Sequence, residues 1–150
     1  MTGTVVFAVG NPSRGDDAVG PELAARLEAE DFPGVEVIVD FQLQVEHALD
    51  LEGRELAVFV DAAVDTESSY ELRMVRPSRD RSHTTHALSP AAVLETFERC
   101  TGRAPPPAWV LAVRGEQFEL GTGLSTEARA NLEAAWPVLR ALSTGAMPQL

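Results

Sequence analysis

The sequence predicts a single α/β domain over residues 1–150, built on a mostly parallel sheet with helices on both faces. Apolar runs typical of buried strands alternate along the chain with segments of helical periodicity. The run at residues 56–60 is apolar throughout, as is typical of a central strand buried on both faces. A chain of 150 residues is long enough to bury one core of its own.

The first half of the chain is expected to form three strands and two helices. The strands are predicted at residues 4–9, 35–39 and 56–60. The first helix begins at Asp16 or Asp17, since apolar residues then recur with helical spacing, and it ends at Pro33-Gly34. A second helix, short and amphipathic, is predicted at residues 43–51.

The second half is expected to add two strands and two helices. Residues 70–75 alternate between apolar and polar, which indicates an edge or antiparallel strand. A helix follows with Ser89 as its N-cap and Pro90 in its first turn. Residues 109–113 form the last strand, and a sequence close to a capping box begins the final helix at Ser125.

Composition and charge exclude several classes of protein. The net charge of −11 argues against a nucleic-acid partner, which requires a basic surface. No segment approaches the about 20 apolar residues of a membrane span, and the N-terminus lacks the features of a secretory signal. The single cysteine, Cys100, fits a reducing compartment. We therefore expect a cytoplasmic protein that binds neither nucleic acid nor membrane.

The loop after the first strand is the most informative part of the sequence. Gly10 and Gly15 have the spacing of a phosphate-binding loop, but Asp16 and Asp17 stand where that loop needs a lysine and a hydroxyl. Two carboxylates would repel a polyphosphate, which opposes a nucleotide-binding function. They are better suited to binding a cation or to acid/base chemistry.

Several polar residues follow strands and should meet at one edge of the sheet. In parallel sheets, ligands bind beyond the carboxyl ends of the strands. Asp16 and Asp17 follow the first strand, Asp61 ends the third, and His83 and His86 follow the fourth. Carboxylates combined with an imidazole favour a divalent transition metal such as nickel, zinc, iron or cobalt.

Each of these residues also has a structural interpretation. Either aspartate after the first strand can cap the first helix, and both roles can coexist, with Asp16 as the cap and Asp17 in the cleft. Asp61 can cap a turn, and the two histidines can be ordinary surface residues. No GxSxG motif is present, and Cys100 has no histidine nearby in sequence, so a serine or cysteine hydrolase is disfavoured.

Four motifs occur in an order that resembles one protease family. They are Gly10-Asn11 with Asp16-Asp17 and Gly20, Phe59-Val60-Asp61-Ala62, His86 just before a helix, and Gly121 to Ser125. Together they are similar to the motifs of the hydrogenase maturation proteases, which are nickel-dependent endopeptidases. The resemblance extends over nearly the whole chain.

This resemblance implies a three-layer α/β fold with a twisted five-stranded sheet. It also implies removal of a C-terminal extension from a [NiFe]-hydrogenase large-subunit precursor after nickel insertion. In that family the residues matching Asp17, Asp61 and His86 bind nickel, which the substrate itself supplies; His83 has no match. Either Asp16 or Asp17 is then the candidate general base, or the metal polarises the scissile carbonyl.

One segment departs from the family pattern. Many members carry a Gly-Thr pair between the second and third strands, where this chain has Gln42 and Leu43. A Gln-Leu version resembles the branch that serves cytoplasmic NAD-coupled hydrogenases, so these two residues are candidates for substrate recognition. A non-catalytic nickel-sensing binding module or chaperone for the precursor is the alternative function, because it would use the same ligands.

Overall fold

The computed structural model describes residues 3–80 and 87–145, which form one sheet of five strands. The strands are β1 (Thr4–Val9), β2 (Val35–Asp40), β3 (Leu56–Ala63), β4 (Tyr70–Val75) and β5 (Ala108–Arg114). Their spatial order is β2-β1-β3-β5-β4, and β4 alone is antiparallel to its neighbour. The predicted mostly parallel five-stranded sheet is confirmed, and β4 is the predicted antiparallel edge strand.

Helical segments connect the strands. The α-helices are α1 (Val19–Glu30), α2 (Pro90–Thr101) and α3 (Thr126–Ser143), and two 3-10 helices lie at Gly15–Ala18 and Val45–Leu51. The serine hydroxyls of Ser89 and Ser125 accept hydrogen bonds from backbone N–H groups in the first turns of α2 and α3. Both predicted N-caps are therefore confirmed. Within residues 3–80 and 87–145, no helix has the length and apolar character needed to cross a membrane.

The predicted amphipathic helix at residues 43–51 is instead a 3-10 helix that begins at Val45. Its start is held by a reciprocal pair of bonds between Gln44 and His47, in which the Gln44 N–H donates to His47 Nδ1 over 2.8 Å. His47 is buried, and its ring meets Phe7 edge-on. A helix of this length has too few i→i+4 bonds to favour the α form, so the tighter 3-10 winding is accommodated.

The two faces of the sheet carry separate cores, which establishes the three-layer arrangement. Helices α1 and α3 cover the face that includes Val6, Val58 and Leu111. Helix α2 and the 3-10 helix Val45–Leu51 cover the opposite face, which includes Phe7, Phe59 and Val110. Adjacent residues of a strand point to opposite faces, so one apolar run supplies both cores.

Two glycines bring the turn after β1 close to the sheet. A Cβ at Gly20 would lie 2.6 Å from the carbonyl oxygen of Val9, so only glycine allows α1 to begin this close to β1. Gly10 has a φ of 153°, and a Cβ there would collide with the carbonyl oxygen of Asp17. These close approaches place Asp17 at the carboxyl end of β1.

Candidate active site

A cavity of about 500 Å³ opens at the carboxyl end of the parallel strands. The floor of the cavity belongs to the same face of the sheet that α2 covers. Sheet register accounts for the floor residues: Asp61 and Glu71 both pair with Ala112, and Arg73 pairs with Val110. Because residues two apart on a strand share a face, Asp61, Glu71 and Arg73 all line the same cavity.

The structure brings together four of the residues singled out from the sequence. Asp17, Asp61, Gln42 and Leu43 all line this cavity. Gln42 is partly exposed, whereas the Leu43 side chain is buried in the core beneath the cavity and its carbonyl accepts the Leu88 N–H. Leu43 therefore contributes the shape of the wall rather than an exposed side chain.

Asp17 lines the cavity, and the backbone holds one of its two carboxylate oxygens. Its Oδ2 accepts the Asn11 N–H over 2.6 Å, and the Asn11 side chain in turn accepts the Ser13 N–H over 2.9 Å. No hydrogen bond or ion pair to Oδ1 occurs within residues 3–80 and 87–145. The asparagine of the opening motif thus orients the aspartate and leaves one oxygen for a ligand.

Asp61 resembles Asp17 in its hydrogen bonding, and its own pKa is raised. Its Oδ1 accepts the N–H of Ala62 over 2.7 Å, and within the described part of the chain Oδ2 has no partner. Burial raises the pKa of Asp61 to about 7; the Ala62 bond opposes this shift, and the negative charge of Asp17 adds to it. Asp61 is therefore partly protonated near neutral pH.

Asp16 has a different role from its neighbour. It is fully buried and is absent from the cavity lining. Its Oδ1 accepts the Ser125 N–H over 2.7 Å, and its Oδ2 accepts the N–H groups of Glu116 and Gln117 over 2.7 and 2.9 Å. The Ser125 hydroxyl donates to Oδ2 as well, over 2.7 Å.

These four bonds correct the expectation that Asp16 caps the first helix. It does not cap the first helix, whose start has no side-chain cap; instead it fastens the chain around Ser125 ahead of α3. Both oxygens accept hydrogen bonds and are shielded from water, which opposes a role for Asp16 as general base; that role stays a prediction. Burial alone would raise the pKa of Asp16, but the donated bonds outweigh it and hold the pKa below its usual value.

The third predicted metal ligand, His86, lies outside the described residues, as does His83. Within residues 3–80 and 87–145, no three histidine, cysteine or acidic side chains form a cluster suited to a metal ion. The nickel-ligand set of Asp17, Asp61 and His86 therefore stays a prediction.

Sequence reasoning missed several residues of the cavity. Phe41, Thr66, Glu71 and Arg73 line it, and none belongs to a recognisable motif. The period-two pattern of β4 indicates that Glu71 and Arg73 share a face. The pairing of β4 with β5, in the observed register, places this face at the floor of the cavity.

Comparisons with known proteins identify the fold. No protein-family model matches the sequence, and no curated protein matches it. The chain is similar to HybD, a hydrogenase maturating endopeptidase of Escherichia coli, with 22% identity, a TM-score of 0.74, and coverage of 96% of this chain and 94% of HybD. It is also similar to HycI, a [NiFe] hydrogenase maturation protease of Thermococcus kodakarensis KOD1, with 23% identity, a TM-score of 0.71, and coverage of 95% of this chain and 92% of HycI. For a further endopeptidase of Escherichia coli the identity is 25% and the TM-score is 0.70, with coverage of 94% of this chain and 92% of that protein.

The chain therefore has the fold of the [NiFe]-hydrogenase maturation proteases. The resemblance inferred from the sequence motifs is confirmed at the level of the fold, over almost the full length of both chains. These three neighbours are named as endopeptidases or proteases.

The bonds to Asp16 predict a large loss of stability on its substitution. Asp16→Asn replaces an acceptor oxygen with an NH₂ group that faces backbone donors, so we expect the free energy of unfolding at pH 7 to fall by about 3 kcal/mol. Urea unfolding measures this change. The folded-state pKa of Asp16 is lowered, so its contribution should disappear as the pH falls below about 4, the pKa of an unfolded aspartate.

Asp31→Asn is the matched control, because Asp31 is exposed and its left-handed backbone, with a φ of 51°, suits asparagine. It should leave stability at pH 7 almost unchanged. Equal effects of the two substitutions would contradict the structural role of Asp16.

The raised pKa of Asp61 predicts the opposite pH dependence. In the metal-free protein, stability should fall as the pH rises from about 4, where an unfolded aspartate ionises, to about 7, where folded Asp61 ionises. Asp61→Asn removes this penalty and retains the acceptor for Ala62, so at pH 8 it should stabilise the fold by about 2 kcal/mol. At pH 4 the gain should vanish.

Urea unfolding at both pH values tests this expectation. Asp65→Asn is the control, since it alters an exposed carboxylate of the same cavity and should change stability by less than about 0.5 kcal/mol. A destabilised Asp61→Asn protein at pH 8 would show that the charged form is favoured in the fold.

Proposed function

We propose that this protein is an endopeptidase of the hydrogenase maturation protease family. Its substrate is a [NiFe]-hydrogenase large-subunit precursor, from which it removes a C-terminal extension. One observation carries the proposal: two carboxylates, Asp17 and Asp61, face one cavity of a protease fold, and each has one oxygen tethered by a backbone N–H and one without a partner among the described residues. The exposed free thiol of Cys100 is consistent with a cytoplasmic location.

Nickel enters this proposal as part of the substrate. The free oxygens of Asp17 and Asp61, together with His86, are the ligands that we propose for the nickel carried by the precursor. Without a cation, the neighbouring Asp17 charge helps to keep Asp61 partly protonated. An approaching cation reverses this effect, because it stabilises the ionised form of both carboxyl groups. Nickel-loaded precursor is therefore bound in preference to the empty form.

Asp17 is central to both routes by which the peptide bond can be attacked. In one route its free oxygen takes a proton from a water molecule that attacks the scissile carbonyl. In the other route it helps to hold the nickel, which supplies a Lewis acid at the carbonyl. Docking of the precursor contributes to either route by positioning the bond in the cavity. Asp16 takes part only indirectly, by holding the turn that carries Asp17.

The wall at Gln42 and Leu43 is proposed to help select the precursor. Gln42 is partly exposed at the cavity, and the Leu43 backbone is fixed by its bond to Leu88. An amide at this position can donate and accept hydrogen bonds, which discriminates between peptide groups better than a glycine can. We propose that this wall suits the large subunit of a cytoplasmic NAD-coupled hydrogenase.

Asp17→Asn is the decisive variant for the proposed activity. It preserves the shape and the acceptor for the Asn11 N–H but removes the charge, so we expect the cleavage rate to fall by at least about 100-fold. Mass spectrometry of the precursor, with and without nickel, measures the release of the C-terminal peptide. The wild type should release it only from the nickel-loaded precursor, and Asp31→Asn should behave as the wild type.

Three other outcomes have distinct meanings. Undiminished cleavage by the Asp17→Asn variant would remove Asp17 from the mechanism. Binding of an intact precursor by the wild type would favour the chaperone function. Cleavage of nickel-free precursor would contradict the proposed dependence on nickel.

The role of Gln42 predicts a change in substrate choice. Gln42→Ala should raise KM for the preferred precursor by about tenfold, the effect expected when a peptide group loses its hydrogen-bond partner. The rate at saturation should change little. Competition between two precursors, followed by mass spectrometry, tests this. Unchanged preference would count against recognition by this wall.

A further inference from the structure

An unusual share of the exposed apolar surface lies in one short segment. Among the described residues, seven large hydrophobic side chains are exposed, and four of these are Val39, Phe41, Val45 and Leu49. Leu49 is 78% exposed and Phe41 is 65% exposed. Single exposed apolar residues are ordinary, but a contiguous group of them marks an interaction surface. We refer to Phe41, Val45 and Leu49 as the docking strip.

The strip forms one side of a groove next to α2. Val45 and Leu49 lie four residues apart on the 3-10 helix and both line the groove, and Phe97 and Thr101 of α2 form the opposite wall. The groove has a volume of about 460 Å³, and Glu46 and Glu52 also line it. It is large enough to accept a few apolar side chains from another molecule.

The strip is continuous with the cavity of the proposed active site. Phe41 lines the cavity, as do the next two residues, Gln42 and Leu43, and Val45 already lines the groove. Along the 3-10 helix, Leu49 is roughly 8 Å beyond Val45. A protein whose C-terminal extension enters the cavity would therefore meet this strip with the part of its surface next to the extension.

Charge argues for a different protein as the occupant rather than a second copy of this chain. Glu46, Asp50 and Glu52 lie on the 3-10 helix or directly after it. Glu52 pairs with Arg103 at 2.6 Å and Asp50 lies near the cation of Arg54, whereas no ion pair to Glu46 occurs within the described residues. The whole chain has a net charge of −11. Self-association through this face would bring like charges together, whereas a partner with apolar side chains and a basic margin would be complementary.

We propose that the docking strip and its groove bind the folded body of the precursor, outside the extension that is cleaved. This inference rests on the proposed function and adds a second contact region to it. The strip supplies affinity through apolar burial, and the cavity positions the scissile bond. Substitutions in the strip should therefore act on binding and leave the chemical step intact.

Val45→Glu and Leu49→Glu test this division of roles. Each places a charge on a side chain that is at least 60% exposed, so the fold should be retained, as circular dichroism can verify. With nickel-loaded precursor, we expect Kd from calorimetry and KM for cleavage to rise at least about tenfold, the effect of losing a well-buried interface contact. The value of kcat at saturating precursor should stay within about twofold of the wild type. Leu49→Ser, a milder change, should follow the same trend.

Met74→Glu is the matched control. Met74 is 52% exposed on β4, next to Arg73 in sequence and therefore on the opposite face of the sheet from the cavity. It should leave both Kd and KM unchanged. If all three strip variants bind the precursor as tightly as the wild type, the docking role is refuted.

Two further outcomes separate this inference from the proposed function. If the wild type sediments as a dimer that Leu49→Glu dissociates, a second copy occupies the groove and the inference is overturned. The Asp17→Asn variant should lose kcat, which the strip variants keep, and its Kd for nickel-free precursor, which has no metal for Asp17 to bind, should equal that of the wild type. If the wild type neither binds nor cuts any nickel-loaded precursor, the proposed function fails, and the docking role fails with it.

Discussion

The buried carboxylate of Asp16 is the interaction on which the site depends. It joins the turn after β1 to the segment that links β5 to α3, through bonds from Glu116, Gln117 and Ser125. A buried charge is stable only when donors surround it, and here four donors do so. Because this turn is immobilised, the next residue, Asp17, is held at the mouth of the cavity.

Two adjacent aspartates are thus divided between structure and chemistry. The pKa of Asp16 is lowered by its hydrogen bonds, so its charge stabilises the fold. Asp17 and Asp61 instead line a shared cavity. The pKa of Asp61 is raised because the carboxyl group is buried and because the negative charge of Asp17 is nearby. Strongly perturbed pKa values of this kind cluster at functional sites.

Within residues 3–80 and 87–145, the layer on one face of the sheet ends before the carboxyl end of β3, and this leaves the cavity. Helix α2 and the 3-10 helix cover Phe7 and Phe59 but not the end of β3 beyond them. Residues 41–43 line this cavity, and Val45 and Leu49, which follow them in the chain, line the groove next to α2.

The sequence by itself determined the strands, the main helices and the meeting of Asp17 with Asp61, because strand ends in a parallel sheet share one edge. Only the tertiary structure decided the role of Asp16, whose partners lie 100 or more residues away in the chain. It also decided that Glu71 and Arg73 form part of the cavity floor, which depends on the pairing of β4 with β5. Local periodicity reports which face a side chain occupies, whereas long-range pairing determines what that face meets.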